Sequence, residues 1–313
     1  MTAGVRRRKT GRMARKLHEM HAYRQFYVLI LPMLIVMFLF RILPIWGLLM
    51  AFQDYNPFAG FWGSEWVGLR NFTQLFQNPK FMLMMRNTIF INVLKLIFFF
   101  PAPILLAVML NEMRSERLKR LHQSIVYMPH FLSWVVISSL TFFLLSQDIG
   151  VVNKIRVSLG KRSVSYLSNP DLFWGILIGQ NLWKDTGWGT ILFLAAMSGI
   201  DPTLYEAAVM DGAGRFKQIW HITLPCIRAT IVTMLILRLG QLFSVGFEQI
   251  LLMRNPLVLD VSEVLDTFIY TQGIRNGKTS LGVAAGLFKS LINIGMVVTA
   301  NKIVKKCGED GIY

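Results

Sequence analysis

The chain has 313 residues, of which 54% are hydrophobic and 16% charged, and its mean hydropathy is +0.48. Soluble domains carry about 25% charged residues, so a composition this poor in charge belongs with lipid rather than with water. The net charge of +16, from 33 Lys and Arg against 17 Asp and Glu, fits nucleic acid or membrane topology; the basic residues crowd beside apolar runs, which favours topology and leaves no role for nucleic acid.

Residues 1–25 contain the run RRRKTGRMARK and hold eight cations counting Arg24. The apolar stretch behind them runs on to Phe52 with no small-residue cleavage site, so it reads as a retained first span and not a signal peptide. A helix needs about 20 apolar residues to cross a hydrocarbon core roughly 30 Å thick. Six windows qualify: Phe26–Ala51, Asn87–Leu110, Ile125–Ser146, Phe173–Gly199, Pro225–Ile250 and Leu281–Val304. A prior of about 150 residues per domain would give two domains, but a bundle of spans is one unit. Residues 26–304 are therefore one all-α membrane domain of six transmembrane helices, with a tail at 305–313.

The N-terminal cations and the four in RSERLKR, Arg114–Arg120, place both regions in the cytoplasm, and six spans return the C-terminus there. Lys154–Arg162, with four cations, falls outside and runs against the rule. The two cysteines, Cys226 and Cys307, fall on the reducing side, where thiols stay free. No CxxC, HExxH or Walker A spacing occurs, so zinc chemistry and nucleotide hydrolysis by that route are not expected of this chain.

Between the fourth and fifth spans lies DPTLYEAAVMDGAGRFKQIWHITLP, residues 201–225, polar inside an apolar neighbourhood. Asp201-Pro202 is a helix start, Asp211-Gly212-Ala213-Gly214 breaks the helix, and RFKQIW restarts a short amphipathic one. On the residues alone, an amphipathic hairpin on the inner leaflet fits as well as a docking plug. A resemblance decides between them: EAA, three residues, Gly212, nine residues and ITLP looks like the cytoplasmic signature loop of membrane subunits of ABC importers. LPIWGLLMAFQDYNPFAGFWGSEWVGLRNF, YMPHFLSWVVIS and LWKDTGWGTILFLAAMSGIDPTLYEAA are similar to carbohydrate-type permeases, closest to the subgroup of complex-oligosaccharide uptake systems.

The resemblance implies the type I importer permease fold in a bacterial plasma membrane, multi-pass, with both termini cytoplasmic. It implies a heterodimer with a second permease, two ATP-binding subunits that hold ATP and Mg, an extracellular solute-binding protein and an oligosaccharide cargo. The chain itself would hold no cofactor or metal and catalyse nothing. Its coupling residues would be Tyr205, Glu206, Ala207, Ala208, Asp211, Gly212, Ala213, Arg215, Phe216, Leu224 and Pro225.

Charges inside spans cost ~2.5–3.5 kcal/mol at the centre and mark function by default. At about 1.5 Å per residue, Arg41, Lys95, Lys184, Arg238 and Lys289 share one slab, with Asp185 the one carboxylate well inside it. Arg238, Gln241, Glu248 and Gln249 recur at helical steps on the fifth span, and Gln180, Asn181 and Lys184 do so on the fourth. With Trp183 and Trp188 nearby, Gln180, Asn181, Lys184, Arg238, Gln241 and Gln249 are the expected substrate pathway, and the excess of cations points to a cargo with uronate carboxylates. Structural roles compete for each charge: Lys184-Asp185 as a packing pair, snorkelling, or pairing with the partner permease. His130 reads as a helix-end hydrogen-bonder, Pro101 and Pro103 as a kink, and Glu263 and Asp266 as solvated outer-loop residues. A permease for another solute and an ion-coupled secondary transporter are the rivals; the latter expects acidic relays and inverted repeats, which are not evident here.

Overall fold

Long apolar helices carry most of the chain in the computed structural model, which describes residues 23–306, 308 and 311. The basic run expected in the cytoplasm lies mostly outside those residues, as does Cys307. The first helix, α1 (Arg24–Phe52), begins as α-helix, widens to a π turn at Phe38–Ile42 and tightens to a 3-10 helix over Leu43–Phe52. None of its residues from Arg24 to Ile42 is buried against this chain; Ala51 is the first that is.

A two-stranded hairpin follows, β1 (Gln53–Asp54) antiparallel to β2 (Glu65–Trp66). Asn71 of α2 (Arg70–Phe76) holds its base, donating to the carbonyls of Ala51 and Gln53 at 2.9 Å each. The next helix, α3 (Phe81–Asn111), passes Pro101 and Pro103 by way of a π turn at Lys95–Phe99. The amide of Phe100 reaches the Lys95 carbonyl at 3.1 Å, so the expected kink is taken up as a bulge and the helix runs through.

The third expected span, Ile125–Ser146, is not one helix. Helix α4 (Glu116–Phe131) and α5 (Trp134–Leu145) meet at 98°. Pro129 removes a donor at the end of α4, and Ser133 restarts the chain by accepting the Val136 amide at 3.3 Å. After α6 (Val151–Ser158) comes α7 (Pro170–Ser198), whose N-cap Asn169 accepts the Asp171 amide at 3.0 Å. Helix α7 packs along the second half of α3 and crosses α4 at Gly187, where a Cβ would run into the Val126 carbonyl.

Two short helices, α8 (Pro202–Met210) and α9 (Arg215–Cys226), then α10 (Arg228–Leu239) and α11 (Phe247–Met253), lead to the last long helix, α12 (Thr279–Lys306). The expected continuous span Pro225–Ile250 is broken twice, by a 61° bend between α9 and α10 and by an unwound stretch at 240–246. Gly246, with φ +91°, turns the chain back into helix, a conformation glycine adopts without penalty.

By length and apolarity three helices among the described residues, α1, α3 and α12, suit a bilayer crossing, and five spans result if each bent pair counts as one. Helix α7 has 29 residues, enough to cross, but Gln180, Asn181, Lys184 and Asp185 interrupt its apolar face. Lipid gives apolar surfaces little reason to associate, so packing and buried hydrogen bonds hold such helices together. Here Ile91, Phe173, Leu177 and Ile250 form one packed centre; Leu75, Met84, Leu265 and Phe268 form a second; Ala107, Phe193, Met197 and Ile227 form a third below.

Candidate functional site

Irregular backbone at membrane depth survives only where protein satisfies it or where it borders a cavity. The unwound stretch at 240–246 has both. Asn92 and Lys95 of α3 donate to the carbonyls of Leu242 and Val245, each at 2.6 Å. Asn293 of α12 accepts the Phe243 amide at 3.2 Å, and Asp266 accepts the Val245 amide at 3.3 Å while pairing with Lys289. Asp266 therefore points inward, against the expectation that it is solvated. Glu263 likewise turns to Arg254, at 3.9 Å.

The intramembrane cations separate into two groups. Lys184 is 7% exposed and donates to the carbonyls of His130 and Leu132 at 2.7 and 2.6 Å, the acceptors freed by the break between α4 and α5. Lys95 and Lys289 are engaged as described. Arg238 is different: among the described residues it has no hydrogen-bond or ion-pair partner, and its guanidinium rests 4.7 Å from the centre of the Phe99 ring. Arg41 of α1 is also exposed and unpaired among the described residues.

Arg238 sits where two cavities of about 320 Å³ each adjoin. Phe99, Phe100, Asp185, Arg238 and Gln241 line both. The first extends to Asn92, Lys95, Trp134, Asn181 and Gln249, the second to Pro103, His130, Trp188 and Phe193. Asp185 is held by His130, with Nδ1 to Oδ1 at 2.9 Å, and the imidazole stacks on Trp188 with ring centres 4.5 Å apart. The site thus offers a guanidinium, a carboxylate, amides and aromatic faces at one place.

Of the residues expected there, Arg238, Gln241, Asn181 and Gln249 border the cavity. Gln180, Asn181 and Gln249 are bonded to one another and to their neighbours: the Gln249 amide donates to Gln180 at 2.9 Å, Asn181 donates to Gln249 at 2.6 Å, and Asn181 and Gln249 both donate to the Leu177 carbonyl. Trp183 does not border the cavity at Arg238; it lines a separate, largely apolar groove of about 600 Å³ with Ile137, Leu140, Gly179 and Gln180. Glu248 is exposed and Gln249 fully buried, so the shared polar face expected of an unbroken fifth span does not form. Trp188 was expected near the pathway and lines the second cavity, whereas Asp185, Trp134 and Phe99 were not in the expected set. Asp185 was visible as the lone carboxylate of the slab, whereas the aromatics carry no local signal that separates them from packing residues.

The second candidate region is the protrusion of α8 and α9. Asp201 caps α8 by accepting the Thr203 amide at 2.9 Å, and hydrogen bonds from Thr203, first its amide and then its side chain, hold the carboxyl below its ordinary pKa. At the other end the Gly212 amide reaches the Val209 carbonyl at 3.0 Å and the Ala213 amide reaches the Ala208 carbonyl at 2.8 Å. With Gly212 at φ +74°, this is a Schellman stop, and the left-handed position explains the glycine. Gln218 closes on the Ala213 carbonyl at 2.8 Å, and the Tyr205 hydroxyl lies 3.0 Å from that of Thr223. No residue of α8 is buried. Glu206, Ala207, Asp211, Arg215 and Pro225 are exposed, and Met210 and Phe216 are 87% and 90% exposed. Leu224 leads inward and packs on the cluster of Ala107, Phe193 and Met197.

These two regions, a polar cavity between the long apolar helices and an exposed helix–glycine–helix knob, fit a membrane transport subunit. Residues 99–306 match the family of binding-protein-dependent transport system inner membrane components, and the chain belongs to that family. It is 48% identical to Protein LplB of Bacillus subtilis over 92% of this chain and 90% of that protein. It is 45% identical to the polygalacturonan/rhamnogalacturonan transport system permease protein YteP of the same organism, over 97% and 95%. Its fold matches a chain of the bacterial alginate ABC transporter, solved in complex with its alginate pentasaccharide-bound periplasmic protein, with a TM-score of 0.86, 37% identity and coverage of 94% and 99%. The chain is an ABC transporter permease subunit of the inner membrane, not an enzyme, and has no cofactor of its own.

Proposed function

We propose that this permease is half of the pathway of an ATP-driven importer for an oligosaccharide bearing carboxylates, received from an extracellular solute-binding protein. The observation that carries the cargo reading is Arg238, a guanidinium inside the membrane domain that faces a cavity, rests on the Phe99 ring and has no hydrogen-bond or ion-pair partner among the described residues. An unpaired cation at that depth is costly unless an anion visits it, and a guanidinium binds carboxylates in bidentate fashion. Trp134 and Trp188 add apolar faces for sugar rings, and Gln241 and Asn92 add amides for hydroxyls. Two similar proteins are named for polygalacturonan and alginate, both carboxylated polysaccharides, which supports the same class.

In this reading the chain crosses the membrane six times with both termini in the cytoplasm, beside a second permease. The knob of α8 and α9 seats in one of two ATP-binding subunits that hold ATP and Mg. Closure of those subunits moves α8; Leu224 passes the movement to Phe193, which lines the second cavity. The pathway then opens to alternate sides as packed helices shift between two arrangements.

The test is uptake by the reconstituted transporter of a uronate oligosaccharide and a neutral one of equal length. Arg238→Ala is expected to lower uronate uptake by about 10–100-fold, the value of a charge-assisted hydrogen bond, and to leave neutral uptake nearly unchanged. Equal effects on both cargoes, or none, would remove the acidic-sugar reading.

A further inference from the structure

A single stretch of α7, residues 184–188, holds His130 at three points. Lys184 donates to its carbonyl at 2.7 Å, Asp185 accepts from its Nδ1 at 2.9 Å, and the Trp188 ring lies against the imidazole at 4.5 Å with the planes 5° apart. The place of His130 after Pro129 suggests a bond to the helix end. Lys184 already satisfies the His130 and Leu132 carbonyls there, and the imidazole instead donates to a carboxylate. That bond joins the end of α4 to α7 and at the same time fixes where the carboxylate lies.

The position matters because of Arg238. Asp185 is the one carboxylate among the described residues that lines either cavity at Arg238, and Arg238 lines both. Lys95, the other cation on the first cavity, already donates to Val245 and Gln249. Opposite charges attract strongly where water is scarce, and a guanidinium takes a carboxylate in two parallel bonds. Released from His130, Asp185 would therefore turn to Arg238. A tethered ligand competes at an effective concentration on the order of millimolar, so each cargo carboxylate would have to displace it.

We propose that His130 is a positioning residue for cargo selection: it retains the Asp185 carboxylate and so keeps Arg238 open to a carboxylate of the cargo. The inference rests on the reading of Arg238 given above and names the group that leaves that site available. His130 touches no cargo in this role and acts through Asp185.

The experiment uses the reconstituted transporter with the same uronate and neutral cargoes. His130→Ala is expected to raise the KM for uronate uptake by about tenfold or more, the value of a charge-assisted hydrogen bond, with the maximal rate and the neutral KM nearly unchanged. His130→Asn, which sets an amide donor where Nδ1 stood, should keep most of the wild-type affinity. Adding Asp185→Asn to His130→Ala removes the competing charge and should restore the uronate KM. A residue that only braces the break between α4 and α5 would lose both cargoes alike and would not be repaired by a second change at Asp185; that result, or an unchanged uronate KM in His130→Ala, overturns the proposal. A double-mutant cycle of Asp185→Asn and Arg238→Ala on thermal unfolding needs no cargo. Coupling between the two should be small with His130 present and large in the His130→Ala background. No coupling there overturns the retention of Asp185 and leaves the acidic-cargo reading standing. Coupling there, with Arg238→Ala affecting both cargoes equally, overturns the cargo reading and the selection role together.

Discussion

The knob of α8 and α9 and the joint where α7 meets α4 and α5 are built in opposite ways. In the knob, the bonds that define shape join neighbours: Asp201 to Thr203, Ala213 to Ala208, Gln218 to Ala213. At the joint they join residues far apart in the chain: Lys184 to the His130 and Leu132 carbonyls, Asp185 to the His130 ring. The knob carries its own shape and leaves its side chains free; the joint spends its polar side chains on holding a 98° bend. Charge in the first is available for a partner, and charge in the second is structural.

That contrast can be broken most forcefully at Glu206. It is exposed and makes no hydrogen bond or ion pair among the described residues, so reversing it leaves the fold intact. Glu206→Lys is expected to cut ATP-coupled uptake by about a hundredfold or more, as charge reversal in a docking contact does, with the membrane content of the protein unchanged. Uptake at the wild-type level would mean that the knob docks on nothing.

The joint predicts a reversed pattern with a smaller effect. Lys184→Ala strips two carbonyls at the break of their donor, which in a membrane protein costs about 0.6–2 kcal/mol each. Thermal unfolding in detergent should shift down, while the preference for uronate over neutral cargo stays as in wild type. If selectivity falls and stability holds, Lys184 belongs with Arg238 on the pathway, and the division between structural and available charge fails.

The same contrast explains what the sequence disclosed. The start of α8 at Asp201-Pro202 and its stop at Gly212 were legible because each rests on a single local motif. The polar residues of α7 stood out against apolar surroundings, but hydropathy does not tell a lysine that caps a broken helix from one that meets cargo. Its acceptors come from the α4–α5 break, more than fifty positions away. The unwound stretch at 240–246 was hidden for a related reason. Its glycines flank QLFSV, mostly apolar and able to pass for span, and the Asn92, Lys95, Asn293 and Asp266 groups that make unwinding tolerable arrive from other elements. Arg238 was recognised as a charge in a span, but its isolation became visible only once the other cations had found partners.

The gentlest test lies at the cap of the knob. Because hydrogen bonds from Thr203 favour the charged form of Asp201, its pKa lies below the ordinary carboxylate value of about 3.9. A depressed folded-state pKa means that the cap contributes in full above the unfolded value and is lost as pH falls through the lower, folded one. Hydrogen-exchange protection of the first turn of α8 should therefore be steady from neutral pH down to the carboxylate range and weaken only below it. Asp201→Asn, which also caps, should keep protection without that pH dependence, and Asp201→Ala should lose it at every pH. Since α8 has no buried residue to hold it, fraying at this cap should reach the Glu206 turn and lower uptake slightly, in step with lost protection. Protection that is unchanged in the alanine variant would mean that something other than its own neighbours in sequence holds the knob.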